Sequence, residues 1–314
     1  MDPLSDVLSL LKPRNYMSAG FDTSGDWAIQ FPDQQKSIKC GAVVSGQCWL
    51  SVEGVTEATH LEAGDSFLLP SGRPFCLASD LALPSVDAKE IFSAAGDGAI
   101  VSYNGGGACF IVSCRFALDG DHADILLGLL PPIAHIRKES DKTAIREFVE
   151  RMMKELRERK PGGFLILQHL AHMMLIEALR LHLAEGLKGG VGWLFALGDK
   201  QIGAAIAAMH DDPARHWTLQ ELAKRAGMSR STFALRFKET VGASPMEYLT
   251  RWRMLRAGDR LAHSSDSISV IALSLGYESE SAFSTAFKKV MGCAPRQYGR
   301  GRNLTSTSAA MPSA

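Results

Sequence analysis

No stretch of this 314-residue chain is apolar for long enough, without interruption, to cross a bilayer. The most apolar run, Phe164–Leu183, contains Gln168, His169, His172, Glu177 and Arg180, which argues against a membrane span. The opening Met1-Asp2-Pro3 is acidic, and no apolar core of a secretory leader follows it. Six cysteines, at 40, 48, 76, 109, 114 and 293, make no C-x-x-C pair and no zinc-finger spacing. A reduced, cytoplasmic protein is therefore expected. No histidine precedes His60. Net charge is missing too, since 34 Lys and Arg balance 34 Asp and Glu. That zero hides a split: from Leu197 on there are 16 basic and 10 acidic residues, and before it 18 and 24. A basic C-terminal part joined to an acidic N-terminal part suits a nucleic-acid-binding domain attached to a non-binding one. The excess is small, so phosphate attraction alone would be weak and salt-sensitive.

What is present is an ordinary globular composition, 46% apolar and 22% charged, in a chain long enough for about two domains. Its organising feature is a repeat between Thr218 and Tyr298. Phe233, Gly242, Pro245 and Tyr248 recur fifty positions on as Phe283, Gly292, Pro295 and Tyr298. Ala223 recurs after forty-nine, as Ala272, so the second turn carries one more residue. Each copy reads as a helix-turn-helix. Thr218 and Glu221 form a capping box, Gly227 makes the turn, and Ser229 caps the next helix. Phe233 and Phe237, four apart, share its buried face. The second copy runs through Ile271, Ala272, Gly276, Ser279, Phe283 and Phe287. Between them, Ser244-Pro245-Met246-Glu247 opens a helix to about Leu261, a rod that sets one unit against the other. Arg230, Ser231, Ala234, Leu235 and Lys238 point outward in the first copy; Glu280, Ser281, Ser284, Thr285 and Lys288 do so in the second.

The doubled motif, closing on Gly292-x-x-Pro295-x-x-Tyr298, resembles the DNA-binding domain of the AraC/XylS family of transcriptional regulators over about residues 199–300. The resemblance implies double-stranded promoter DNA as partner, with RNA polymerase as a further one in an activator. By position it places Ser231, Ala234, Leu235, Glu280, Ser281 and Thr285 on bases. Arg230, Lys238 and Lys288 would meet phosphates, which position without specifying. Ala234 and Leu235 cannot make bidentate hydrogen bonds, so the first unit would read thymine methyls or shape.

From Trp27 to Ala117 short β-like runs alternate with Gly, Pro, Asp and Ser: Trp27–Phe31, Ile38–Val44, Cys48–Val52, Ser66–Leu69, Phe75–Ala78, Ile100–Tyr103 and Cys109–Phe116. They predict a sandwich or barrel. Gly64 to Phe75 resembles the second motif of cupin jelly rolls, and Gly46 the glycine ending the first, over about residues 20–118. The motif's histidine slot holds Phe75, and the first motif has no histidine, so no transition-metal site or other cofactor is expected. A barrel without metal can still hold one small-molecule effector. Trp49, Phe67, Phe75 and Phe110 are its candidate lining, or simply its filling.

Helices are predicted at residues 1–15, over Asp124–Leu130, Asp141–Lys160 and Phe164–Glu185. The last is apolar around most of its circumference, so one face is expected to pair two chains as a homodimer. His169 and His172 lie three apart on it, too few for a metal site by themselves. The expected organisation is α+β and multidomain: a sensor and dimerisation domain over 1–185, with a cupin-like barrel and helices at about 122–185, then a linker at 186–198. The all-α double helix-turn-helix follows at 199–300, with a disordered tail at 301–314. Two alternatives to an effector-controlled regulator stay open. One is a redox trigger among Cys40, Cys48, Cys76, Cys109 and Cys114, against which stands their use as small hydrophobes. The other, disfavoured by the missing histidines, is a cupin enzyme.

Overall fold

The computed structural model describes residues 2–300 apart from 35–36, 94, 96–97, 119–131, 138 and 185–191. The helix expected at Asp124–Leu130, the first half of the linker and the tail at 301–314 lie outside the described residues. The chain divides into two units. One is Leu11–Gly186; the other joins Leu187–Ala314 to the first residues, Met1–Leu10.

In the first unit, punctuation by glycine, proline and acidic turns cuts the described residues into eleven strands. These are β1 (Arg14–Thr23), β2 (Ala28–Phe31), β3 (Ser37–Ser45), β4 (Gln47–Val52), β5 (Thr59–Glu62), β6 (Ser66–Leu69), β7 (Phe75–Ala78), β8 (Val86–Asp87), β9 (Ile100–Tyr103), β10 (Cys109–Ala117) and β11 (Ala134–Ile136). They form two sheets, ordered β11-β6-β3-β10-β1-β9 and β5-β4-β7-β2-β8. Among the described residues no ladder joins the two, so the cupin-like fold is an open sandwich and not a closed barrel. Gly46, at the tip between β3 and β4, has φ +76°, and a Cβ there would strike the Ala108 carbonyl, so only glycine fits. Strand alternation sends Phe21, Val43, Phe67, Leu69 and Ile111 from one sheet, and Ile29, Leu50, Val52, Phe75 and Leu77 from the other, into one shared core.

The first sheet is covered on its other side as well. Two helices, α3 (Glu139–Glu158) and α4 (Gly163–Ala184), contact it and each other; α1 (Pro3–Leu11) and the short α2 (Ala88–Phe92) precede them in the chain. Phe116 of β10 meets His172 of α4 edge-on, at 5.2 Å between ring centres. His172 contacts the carbonyls of Gln168 (2.7 Å) and Pro13 (2.6 Å), while His169 is exposed, so the two histidines do not act as a pair. Helix α4 buries Leu167, Ala171, Met174, Leu175, Ala178 and Leu179 but leaves Phe164, Leu165 and Met173 about half exposed or more. Among the described residues it is the one helix long and apolar enough to cross a membrane, and one side of it is taken up by packing inside this unit.

The second unit is helical: α5 (Trp193–Gly198), α6 (Lys200–Asp211), α7 (Leu219–Arg225), α8 (Arg230–Val241), α9 (Pro245–His263), α10 (Ile268–Ser274) and α11 (Glu280–Met291). The second half of the predicted linker is thus the helix α5, which buries Trp193 and Ala196 and contacts α6 and α8. Asp199 caps α6 by accepting from the amides of Gln201 and Ile202, and it also binds Arg236 of α8 at 2.6 Å. Ile202, Ile206 and Met209 of α6 are fully buried.

Candidate nucleic-acid interface and effector cavity

Both capping boxes form as the sequence predicts: Thr218 with Glu221 at the start of α7, and Ser244 with Glu247, with Pro245 between them at the first helical position, at the start of α9. Glu221 is held low, to about 2, by Arg215 and by the Thr218 amide and hydroxyl, so this cap stays charged at neutral pH. Ser229 and Ser279 cap α8 and α11 in matching fashion, and each helix ends on a left-handed glycine, Gly242 and Gly292. The turn glycines differ in their surroundings. Gly227 has φ +64° and a Cβ on it would meet only the Gln201 amide, at an ordinary 3.9 Å, whereas Gly276 has φ +77° and a Cβ on it would collide with the Ala214 carbonyl. The extra residue of the second turn lies between Gly276 and Ser279.

Phe233, Phe237, Phe283 and Phe287 are all fully buried, with ring centres 5.5 Å apart in the first pair and 5.7 Å in the second. Burying those faces leaves the opposite faces of α8 and α11 to solvent. Arg230, Ser231, Leu235 and Lys238 are exposed, with Ala234 half-buried beside them; Ser281, Thr285 and Lys288 are exposed, with Glu280 and Ser284 half-buried. Leu235 is 63% exposed, a leucine with no packing role on its own helix. Some of these groups already have partners. Glu280 accepts from the Ser269 hydroxyl of α10 at 2.7 Å, which ties the two helices of the second motif together. Thr285 donates back to the Ser281 carbonyl at 3.0 Å.

The first motif is buttressed by a buried polar chain. His210 of α6 lies 2.7 Å from the Tyr248 hydroxyl and 3.3 Å from the Asp6 carboxylate, and it stacks on Trp252 at 3.8 Å. Burial pushes His210 down to about 3, so it is neutral at ordinary pH. It then donates from Nδ1 to Asp6 and accepts at Nε2 from Tyr248. The contact is accordingly a hydrogen bond from a neutral imidazole to the Asp6 carboxylate and not an ion pair.

In the first unit a cavity of about 490 Å³ opens between the sheets, within the size range of small-molecule sites. Its walls are Phe21, Ile29, Phe31, Leu77, Phe92 and Ile111, and its polar groups include Lys39, Ser113 and Arg115. None of the predicted lining residues borders it. Phe67 and Phe75 are packed into the sheet-sheet core, with Phe75 stacked on Phe31 at 4.4 Å. Trp49 and Phe110 occupy outward positions of β4 and β10: Trp49 lies against His60, and Phe110 beneath the Arg157 guanidinium. The reason is parity. On β4 the inward residues are Cys48, Leu50 and Val52, and on β10 they are Cys109 and Ile111. Lys39 and Arg115 were legible only as the odd-numbered, inward partners of Val43 and Ile111.

The cysteine trigger gains no support from the geometry. None of the six cysteines is in a disulfide, and Cys40, Cys48, Cys109 and Cys114 are buried. Burial holds the Cys40 and Cys76 thiols above their ordinary range. Cys48 donates to Cys109, which raises Cys48 and lowers Cys109. Four of these five thus sit where small hydrophobes belong, and reactive thiols need access. Among the described residues no three His, Cys, Asp or Glu side chains cluster in a way that could hold a metal.

A family profile described as a cupin matches residues 2–184, and one described as a helix-turn-helix domain matches residues 222–301. Over 299 residues the chain is 41% identical to a putative AraC-like transcription regulator of Streptomyces lividans, covering 95% of this chain and 98% of that one. The chain belongs to the AraC-type transcriptional regulators. It is also 29% identical over 305 residues to the transcriptional regulator AlkR of Acinetobacter baylyi, covering 95% of this chain and 99% of that one. A crystal structure of the AdpA DNA-binding domain with a target DNA matches 32% of this AraC-type chain and 91% of its own, at 29% identity and a TM-score of 0.31. Family membership and the helix-turn-helix profile make the double helix-turn-helix the DNA-binding part of a transcriptional regulator, with the cupin-like sandwich as the other domain.

Proposed function

We propose that the protein controls transcription by placing α8 and α11 in two major-groove segments about 34 Å apart, one turn of DNA. A small-molecule effector in the sandwich cavity controls that binding, by favouring one of two states of the protein. The observation that carries the reading is the shared division of α8 and α11: repeated phenylalanines fully buried, repeated outward positions open to solvent. Ser231, Ala234 and Leu235 face bases in the first segment; Ser281, Ser284 and Thr285 do so in the second, with Glu280 as a base contact that must leave Ser269. Arg230, Lys238 and Lys288 bind phosphates. Two copies pair through Phe164, Leu165 and Met173, the exposed apolar residues of α4. Where the regulator activates, RNA polymerase is its further partner. It acts in the cytoplasm and is no enzyme, a reading supported by its regulator relatives.

The test is a nuclease footprint of purified protein on DNA upstream of its own coding sequence and neighbouring genes. Protection of paired segments that survives competitor DNA is expected. Only non-specific binding, lost at moderate salt on every fragment, would overturn the reading.

A further inference from the structure

Two cations share the wall of the sandwich cavity, and they stand directly opposite one another. Lys39 of β3 and Arg115 of β10 are cross-strand partners, both on the inward face. Like charges in that relation destabilise a sheet. Arg115 is anchored: its Nε donates to Ser37 at 3.1 Å and a terminal nitrogen to the Gln34 carbonyl at 2.9 Å. Lys39 is not. It is 8% exposed, and the contact shown for its ammonium is the face of Phe31, 5.4 Å away. A buried ammonium costs free energy unless an anion or several acceptors meet it. Burial accordingly pulls Lys39 down to about 8, and Arg115 beside it pushes the same way. The other ionisable groups at the cavity, Lys89 and Asp33, are exposed to solvent, where their charges are screened. Among the described residues, the rest of the cavity wall is apolar or neutral, with Phe21, Ile29, Leu77, Phe92 and Ile111 prominent.

We infer that the cavity takes an amphipathic carboxylate, with its acid group between Lys39 and Arg115 and its aryl or alkyl body along the phenylalanines. This rests on the reading of the sandwich as an effector domain and names the chemical class of the effector. One anionic head placed between the opposed pair offsets one of its two charges and screens their mutual repulsion, and the apolar walls around it suit the uncharged body. The volume leaves room for a body several carbons long, since a cavity of about 150 Å³ already holds benzene. Sequence alone hides this site, because Lys39 and Arg115 are 76 residues apart and meet only through the β3–β10 register.

The experiment is calorimetric titration of the full-length protein with 4-phenylbutyrate and octanoate, each against its neutral alcohol. The wild type is expected to bind at least one acid about tenfold or more tightly than the alcohol, the scale of one charge-assisted contact. Lys39→Met should lose that preference while keeping the alcohol's affinity, and Lys39→Arg should retain most of it. Circular dichroism and DNA binding check that the variants fold. Equal affinity for acid and alcohol, no binding of either acid, or an unchanged preference in Lys39→Met would overturn the inference. Because DNA binding is measured separately, a protein that footprints but ignores acids sinks this inference alone. One that prefers acids but protects no DNA sinks the other.

Discussion

In the first helix-turn-helix the outward face of α8 carries Arg230, Ser231, Ala234, Leu235 and Lys238. Fifty residues on, α11 has Glu280, Ser281, Ser284, Thr285 and Lys288 at the same places. Serine and lysine are kept, while arginine is exchanged for glutamate and an apolar pair for a hydroxylated one. The inward positions change far less: Phe233 and Phe283, Phe237 and Phe287, Gly242 and Gly292 occupy equivalent sites with equivalent burial or backbone. One scaffold is thus used twice and presents a different outward face each time. An apolar face suits methyl groups and shape, and a face of hydroxyls suits hydrogen-bonding base edges. The two copies also differ behind the scaffold, since the first leans on the His210 chain and the second on Ala214 packed against Gly276.

The largest effects should come from the shared parts. Phe233→Ala and Phe283→Ala should each cost about 3–5 kcal/mol in urea unfolding of the full chain. If the copies are equivalent scaffolds, the two losses will agree to within about 1 kcal/mol; a near-neutral result for either breaks the equivalence. The turn glycines should separate the copies. Gly227→Ala meets only the left-handed backbone penalty, about 1 kcal/mol. Gly276→Ala adds a clash with the Ala214 carbonyl, bringing it to roughly 2–4 kcal/mol. Equal melting shifts for the two would show that Ala214 moves aside freely.

Acid should weaken the first copy more than the second. His210 titrates at about 3 in the folded chain, against about 6.5 unfolded. The unfolded chain therefore binds a proton first as pH falls below about 6.5, and stability present above that pH is lost progressively toward pH 3. Asp6, raised by burial, works in the opposite direction and blunts the slope. His210→Gln should remove up to about 2 kcal/mol of the loss between pH 7 and pH 5. Amide exchange near Tyr248 should lose its acid sensitivity in that variant, with the region of Tyr298 unchanged; acid sensitivity that persists would place the titrating group elsewhere. The smallest effect belongs to the retained lysines. Lys238→Ala and Lys288→Ala should each weaken DNA binding alike on all sequences and lower the salt slope by about 1. A change of sequence preference in either would mean a base contact.

The repeat was legible because its signals are local: a cap, a turn glycine, two phenylalanines four apart. Strands β6, β7 and β9 were legible from their punctuation alone. Strand β1 was not, since Asn15, Ser18, Gly20 and Asp22 dilute its apolar alternation, and its place beside β10 is set by long-range pairing. The segments β5, β8, β11 and α2 are too short to carry a period. The cavity was missed for a further reason. Aromatic residues were the natural candidates for its wall, but Phe67 and Phe75 fill the core while Trp49 and Phe110 face out, and its wall holds two cations, Lys39 and Arg115, that only the strand register brings together.

The most direct test of the two-headed reading is a hydroxyl-radical footprint of Leu235→Gln and of Thr285→Val beside the wild type, on one natural operator. Each substitution should alter protection and base preference in one segment only, the two affected segments lying about one helical turn apart, at about 1–3 kcal/mol per base pair. Both variants disturbing the same base pairs, or neither disturbing any, would mean that α8 and α11 do not read DNA as separate heads.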